Sequence, residues 1–192
     1  MGFKQGLENV VAAARLAAGQ PNPPLFVLMG DGNQRADLQA LAADLPNVRF
    51  LPPQPDGDFP DVLAAADVLL VNQRPSVVDM SLPGKLTSYF VAGRPVVAAV
   101  APHSETAAEI TAAGAGLVVD AGDPDALLAA IRVLEANPGR ASALGAFGPP
   151  YAEAHLSADG ALATLERFVA TIAGRAPLAG MTTRSIGSTE AT

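Results

Sequence analysis

The chain has 192 residues, of which 49% are hydrophobic and only 5% aromatic, and its formal net charge is −7 at pH 7. This length suffices for one domain with a substantial core, and an acidic chain gives no general support for binding to nucleic acid or to an anionic membrane. The absence of cysteine excludes disulfides and thiolate metal sites. No apolar run approaches the roughly 20 residues of a membrane span.

The sequence predicts a regular alternation of helices and strands as far as residue 136. Apolar residues three or four positions apart indicate helices, and short apolar runs indicate strands. In chain order, the predicted elements are a helix at 5–18, a strand at 25–29, a helix at 34–43, a strand at 48–51, a helix at 58–66, a strand at 67–71, a helix that begins near Lys85, a strand at 95–100, a helix at 105–113, a strand at 116–119 and a helix at 124–136. Asn33 and Asp123 are the expected N-caps of two of these helices.

This alternation, with its short connections, is typical of a doubly wound, Rossmann-like parallel sheet with helices on both faces. Ligands of such α/β folds bind at the carboxyl ends of the strands, near the point where the strand order reverses. The first predicted element is a helix, although a mononucleotide-binding unit should begin with a strand.

Beyond Pro138 no further strand is predicted. Residues 139–155 and 157–174 predict two helices that pack back over the domain, so we expect the domain to cover residues 1–175. Residues 176–192 are mostly small and polar, and we expect them to form a disordered tail.

Residues 82–97 give the strongest indication of function, because they predict a turn, a short helix, a glycine stop and a buried strand. A helix start presents unpaired N–H groups and a partial positive charge that suit an anion. Lys85 adds a full charge there and Thr87 a hydroxyl, with Leu86 and Ser88 in the same turn. A lysine at a helix start is unfavourable unless an anion compensates it, so we expect a phosphate site. A solvated helix turn is the alternative.

Loops after other strands supply further candidates. Gly32 follows the first strand, in a strand-to-helix turn that favours a positive φ. Asn72 and Arg74 follow the most apolar strand, and Arg74 could bind a phosphate in bidentate fashion. Ordinary loop polarity is the alternative for both. We expect Arg94 to cap a helix C-terminus or to remain in solvent, outside the site.

Other chemistry finds little support in the sequence. There is no Gly-x-x-x-x-Gly-Lys-Ser/Thr loop, no Gly-x-Ser-x-Gly nucleophile elbow and no histidine cluster for a metal. No Gly-x-Gly-x-x-Gly motif supports NAD binding.

Several passages occur in an order that points to one known family. They are MGFKQGL at 1–7, FVLMGDG at 26–32, LAAADVLLV at 63–71, PGKLTSYFVAGRPVV at 83–97 and GAGLVV at 114–119. Together they resemble the C-terminal, nucleotide-sugar-binding half of GT-B glycosyltransferases. Within that fold the chain is similar to the retaining bacterial transferases of the glycosyl transferases group 1 type, which build exopolysaccharide, lipopolysaccharide and colanic-acid-type polymers. The similarity covers residues 1–170 approximately.

The resemblance implies that the diphosphate of a UDP- or GDP-sugar is held by Gly2 and Lys4 near the first helix and by Lys85 at the second site. It also implies that Gly32 lies at the nucleotide cleft, with a simple strand-to-helix turn as the alternative. The sugar would pass to a polysaccharide or lipid-linked acceptor, with no metal and no cofactor besides this substrate. Lys4 and Lys85 would stabilise the charge that grows on the departing diphosphate. Retaining members have no agreed protein nucleophile, so the catalytic residues stay unknown.

In the family a first strand precedes the lysine that corresponds to Lys4, and this sequence has no such strand. We therefore expect Met1 to be an internal methionine of a longer protein, so that the N-terminal acceptor domain and a central strand are absent and two strand edges are exposed. Such a chain should transfer little or no sugar alone. We expect a cytoplasmic protein, with a peripheral position at the inner membrane as an alternative for the full-length form.

One departure from the family concerns the ribose. Most members carry two glutamates eight residues apart, and the later one binds the ribose hydroxyls. Ser88 falls at that later position, and the earlier position falls near Asp79 or Met80. A serine is a weaker, neutral partner for a hydroxyl, whereas Asp79 could supply a carboxylate.

Two other functions remain open from the sequence. A sugar-nucleotide 2-epimerase shares the GT-B fold but usually needs several histidines in the cleft, and the chain has two. A non-catalytic binding subunit that completes a transferase with a partner chain is the second alternative.

Overall fold

The computed structural model describes residues 1–77 and 84–157. In this part of the chain the α-helices are α1 (Glu8–Ala18), α2 (Arg35–Leu41), α3 (Phe59–Ala64), α4 (Gly84–Val91), α5 (Glu105–Ala113), α6 (Pro124–Glu135) and α7 (Pro138–Tyr151). The strands are β1 (Phe26–Met29), β2 (Val48–Leu51), β3 (Leu69–Asn72), β4 (Val96–Val100) and β5 (Gly116–Asp120). A 3-10 helix, Phe3–Gln5, precedes α1, and a π-helical turn, Ala152–Leu156, follows α7. None of the described helices is long and apolar enough to cross a membrane.

Met1–Glu153 forms one compact unit. Of the second unit, which begins at Ala154, the structure describes residues only as far as Ser157. The predicted helix at 157–174, apart from Ser157, and the predicted tail at 176–192 lie outside the described residues. The domain boundary at residue 175 therefore stays a prediction.

The described strands pair in parallel and form two sheets. β1 pairs with β2, with Phe26 opposite Val48, and β4 lies between β3 and β5 in the other sheet. The predicted α/β fold with parallel strands and helices is thereby confirmed. The sheet is divided, however, because no ladder among the described residues joins β1 to β3, and each of these strands keeps one unpaired edge.

β4 is the central strand of the three-stranded sheet, and all five of its residues are buried. Helices α5 and α6 both contact it, which is why the strand is a continuous apolar run with no polar alternation. Its approach to β5 depends on Gly116. A Cβ at that position would lie 2.0 Å from the carbonyl oxygen of Val96.

The largest group of buried apolar residues lies around α1 and α6. The buried face of α1 consists mainly of Val10, Val11 and three alanines, and it packs against α6, where Leu127 and Leu134 are fully buried. Small side chains on α1 let the two helix backbones approach each other. Each fully buried valine or leucine contributes about 1.5–3 kcal/mol by leaving water.

Of the two predicted helix N-caps, one is confirmed and one is wrong. Asp123 is the N-cap of α6, as predicted, and its Oδ1 accepts the N–H of Ala126 at 2.8 Å. The prediction that Asn33 caps α2 is wrong, because the N-cap is Gln34, whose side chain makes no capping bond. No side chain is needed there, since backbone carbonyls of Gly32 and Met1 accept the N–H groups of Arg35 and Gln34.

Arg94 behaves as predicted. Its Nη2 donates to the carbonyl oxygen of Ala64, the last residue of α3, so this side chain caps a helix C-terminus.

Helix α7 confirms the predicted helix at 139–155 over most of its length, and two of its glycines pack on α4 and on the turn that follows α4. A Cβ at Gly145 would lie 2.3 Å from the carbonyl oxygen of Gly93, and one at Gly148 would lie 2.6 Å from that of Phe90. The fully buried Phe90 also meets the ring of Tyr151 edge to face, at 5.8 Å between ring centroids.

Candidate functional site

The candidate site lies at the carboxyl ends of β1 and β3, each of which has one unpaired edge among the described strands. The first residues of the chain bridge these ends. The carbonyl oxygen of Met1 accepts the N–H of Gln34 at 3.2 Å, and that of Lys4 accepts the N–H of Arg74 at 3.1 Å. The predicted residues before α1, after β1 and after β3 are therefore brought together at one edge of the fold.

Gly32 lies against the start of the chain. Its φ of +142° favours glycine, and a Cβ there would lie 2.4 Å from backbone atoms of Met1. The structure thus requires glycine at position 32 for close backbone packing, whether or not a nucleotide also contacts it.

Asn72 is turned inward and is only 2% exposed. Its Nδ2 donates at 2.7 Å to the carbonyl oxygens of both Gln5 and Gly6, and its Oδ1 accepts from the amide of Asn9 at 2.8 Å. The sequence predicted that this side chain contacts a ligand. In the structure it holds the turn that precedes α1.

Arg74 is engaged with the same turn. Its Nε donates to the carbonyl oxygen of Phe3 at 2.8 Å, and its Nη2 forms an ion pair with Glu8. The guanidinium also lies over the ring of Phe3, 3.7 Å from the ring centroid. The predicted bidentate phosphate contact would have to compete with these partners.

Lys4 is exposed within the 3-10 helix, and its side chain makes no hydrogen bond or ion pair with the described part of the chain. Gly2 is the N-cap of this short helix, and its N–H donates to Oε1 of Gln5 at 3.1 Å. The lysine is therefore held by its backbone while its ammonium group faces solvent.

Lys85 lies in the first turn of α4, as predicted. Its side chain is half-buried, and this burial lowers the pKa of its ammonium group. Among the described residues no carboxylate pairs with it. Lys4 and Lys85 are the two lysines of the whole sequence, and both precede or begin helices at the carboxyl side of the strands.

The remaining predicted residues of α4 differ in exposure. The side chain of Leu86 is fully buried in the core, so only its backbone could reach a ligand, whereas Thr87 and Ser88 are half-buried. The turn before α4 lies outside the described residues, and so do Asp79 and Met80, the positions considered for the missing carboxylate.

Some residues of the site were missed from the sequence. Phe3, Glu8 and Asn9 hold Arg74 and Asn72, but each looks like an ordinary residue of an amphipathic helix start. Tyr89 was also missed. It is half-buried one helical turn after Lys85, and burial raises the pKa of its phenol. The i, i+4 spacing to Lys85 was the available signal.

A cavity of about 400 Å³ is lined in part by the Arg74–Glu8 pair. It is lined by Glu8 and Asn9 of α1, by residues 73–76 after β3 and by the start of α6. Of the predicted site residues in the described ranges, only Arg74 lines it. The cavity and the two lysines are therefore separate features.

Metal ligands are not grouped in the described part of the chain, where no three histidine or carboxylate side chains come together.

The family model for glycosyl transferases group 1 matches residues 2–137. The chain belongs to this family. The resemblance seen in the sequence is thereby confirmed, and the matched range contains Gly2, Lys4 and the whole of α4.

Two curated proteins show the same relationship by sequence. WcaI of Escherichia coli K12, whose name assigns it to colanic acid biosynthesis as a glycosyl transferase, is 35% identical over 136 residues, which are 69% of this chain and 33% of WcaI. A GDP-mannose-dependent mannosyltransferase of Corynebacterium glutamicum, which acts on a monoacylated phosphatidylinositol monomannoside, is 30% identical over 156 residues, or 80% of this chain and 41% of that protein. The chain thus spans less than half the length of either relative.

The fold is also that of solved glycosyltransferases. HepE from Anabaena, whose structure contains UDP-glucose, matches 91% of this chain with a TM-score of 0.68 at 20% identity, and the match covers 46% of HepE. At this identity the similarity shows the shared GT-B fold.

Proposed function

We propose that this domain binds the diphosphate of a UDP- or GDP-sugar and supplies the donor site for transfer of the sugar to a polysaccharide or lipid-linked acceptor. The relatives support the substrate class, since one is named for GDP-mannose and a structural neighbour holds UDP-glucose.

One observation carries the proposal. In a chain of net charge −7, both lysines lie at the same edge of the fold, beside helix starts, and neither is paired with a carboxylate in the described ranges. Half-buried Lys85 is the clearer case, because burial without a counter-charge disfavours its ammonium form. A bound diphosphate would supply that counter-charge.

The same groups fit the chemistry of sugar transfer. When the bond between the sugar and the diphosphate breaks, negative charge grows on the phosphate oxygen that leaves. Ammonium groups and helix N–H groups that already face this oxygen stabilise the transition state more than the ground state. Lys4 and Lys85 would contribute in this way. Ser88 would offer the ribose only a neutral hydroxyl.

The acceptor site is proposed to lie outside these 192 residues, in an N-terminal domain or a partner chain. The chain spans 33% and 41% of its two relatives, and β1 and β3 each present an unpaired edge among the described residues. We therefore expect the chain alone to bind the donor and to transfer little sugar. A non-catalytic donor-binding subunit would share these properties.

The proposal is tested by calorimetric titration of the 192-residue chain with UDP, GDP, UDP-glucose and GDP-mannose. Charge-assisted hydrogen bonds contribute about 1.5–3 kcal/mol each, so Lys85→Ala should weaken binding of the preferred diphosphate about tenfold to a hundredfold. Arg140→Ala is the matched control, because it removes one exposed positive charge from α7. Equal affinity of wild type and Lys85→Ala would remove Lys85 from the site, and absence of binding to any of the four would refute the proposed function.

A further inference from the structure

We propose that Arg74, together with Asn72, is a positioning residue that holds the turn carrying Lys4 in the orientation needed for the diphosphate, and that Arg74 does not itself bind phosphate. This inference rests on the proposed function of the same site. It assigns different roles to two cationic side chains that lie close together.

The contacts of Arg74 all reach residues 3–8. Its backbone N–H donates to the carbonyl of Lys4 at 3.1 Å, its Nε donates to the carbonyl of Phe3 at 2.8 Å, and its Nη2 pairs with Glu8. The Phe3 ring covers one face of the guanidinium. Arg74 thus contacts the residue before Lys4, Lys4 itself and the first residue of α1.

Asn72 fixes the next part of the same turn. Its buried amide donates to the carbonyl oxygens of Gln5 and Gly6 and accepts a hydrogen bond from Asn9. Gly6 has φ +55°, and a Cβ there would lie 3.0 Å from Cγ of Arg74 and 3.3 Å from Nδ2 of Asn72. Glycine at position 6 therefore allows β3 and the turn to approach this closely.

The physical consequence concerns entropy. A lysine in an unsupported terminal segment would have to be ordered when the ligand binds, and each ordered backbone residue costs about 1–2 kcal/mol. Contacts that order the turn in advance remove this cost from binding. A phosphate bound in bidentate fashion through Nε and Nη2 of Arg74 would instead have to displace the Phe3 carbonyl and Glu8.

A double-mutant cycle separates the two roles. UDP and GDP affinities are measured for wild type, Lys4→Ala, Arg74→Met and the double variant. If Arg74 acts through Lys4, Arg74→Met should weaken binding about three- to tenfold in wild type and hardly at all in the Lys4→Ala background. The proposal would be overturned if the loss of affinity in the double variant equalled the product of the losses in the two single variants. That result would show an independent phosphate contact or a general loss of structure.

Two further variants control for folding. Arg15→Met removes an arginine that pairs with Asp44 at 2.5 Å and also donates to the carbonyl of Leu41. It therefore removes the same kinds of contact as Arg74→Met, an ion pair and a hydrogen bond to a carbonyl, without touching the turn that carries Lys4. The affinity should stay unchanged. Glu8→Gln breaks the ion pair with Arg74 while keeping the size of the side chain. It should weaken binding in wild type and not in Lys4→Ala, even if Arg74→Met fails to fold.

A second readout needs no ligand. Reductive methylation with ¹³C-formaldehyde labels Lys4, Lys85 and the amino group of Met1. In ligand-free protein, Arg74→Met should shift or sharpen the Lys4 signal and leave the Lys85 signal in place. An unchanged Lys4 signal would overturn the positioning role. Failure of the proposed function is recognised separately, as a wild-type chain that binds neither UDP nor GDP.

Discussion

Lys85 is unfavourable for the fold because its ammonium group is partly buried, and the proposed donor site would give this charge a partner. Burial lowers the pKa of its ammonium group below the ordinary 10.5, and no carboxylate in the described ranges compensates. The folded state then binds fewer protons than the unfolded state between the folded pKa and 10.5. Stability therefore rises with pH through that window.

Replacing Lys85 by methionine should remove this unfavourable burial of charge. We expect Lys85→Met to raise the melting temperature at pH 7 by a few degrees, and the gain should shrink as the pH approaches 10, where wild-type Lys85 is increasingly neutral. Thermal unfolding followed by circular dichroism at both pH values measures this. A variant less stable than wild type at pH 7 would show that the ammonium group has a stabilising partner.

Proton uptake on binding provides the corresponding test in solution. A diphosphate beside Lys85 should raise the pKa of its ammonium group. Binding should therefore take up protons at alkaline pH, where ligand-free Lys85 is partly neutral, and it should weaken as the pH rises further. Titration calorimetry in buffers with different ionisation enthalpies gives the number of protons. Uptake that is the same in Lys85→Ala would assign the proton to another group.

At this scale the local pattern predicted that Lys85 begins a helix, whereas Lys4 became a candidate only through the family resemblance. The same pattern could not predict the partners of Asn72 and Arg74. Those contacts join residues more than 60 positions apart, and they depend on where β3 ends relative to the start of the chain.

At the scale of elements, the packing of α7 on α4 depends on which glycines face the partner helix. Gly148 lies under the backbone of Phe90, whereas a Cβ at Gly139, near the start of α7, would meet nothing within 4 Å. The two positions therefore test whether close backbone approach or helix propensity decides the effect of an added methyl group.

We expect Gly148→Ala to destabilise the fold by about 1–3 kcal/mol, because the methyl group would overlap the carbonyl of Phe90 and force α7 away. Gly139→Ala should be neutral or stabilise by up to about 1 kcal/mol through helix propensity. Urea unfolding of both variants compares them directly. Equal destabilisation by the two substitutions would mean that α7 does not pack as described.

The order of the elements could be predicted from periodicity. The continuous apolar run of β4 indicates a buried strand, and the apolar spacing of α6 indicates a helix with one buried face. Periodicity could not predict the division of the described strands into two sheets. Local patterns show that β1 and β3 are strands but not which of their edges finds a partner.

The whole molecule combines an acidic chain with one edge where both of its lysines lie. Its family match over residues 2–137 and its similarity to less than half of each relative fit a donor-binding module whose acceptor site is proposed to lie elsewhere. The central claim is that these lysines bind the diphosphate of the nucleotide sugar.

The ¹³C-methyl spectrum of the reductively methylated chain tests this claim most directly, because its lysine signals come from Lys4 and Lys85 alone. On addition of UDP or GDP, both lysine signals should shift with a common binding curve, and uridine or guanosine without phosphates should leave them unchanged. The claim would be contradicted if neither UDP nor GDP shifted the lysine signals, or if the nucleosides shifted them equally.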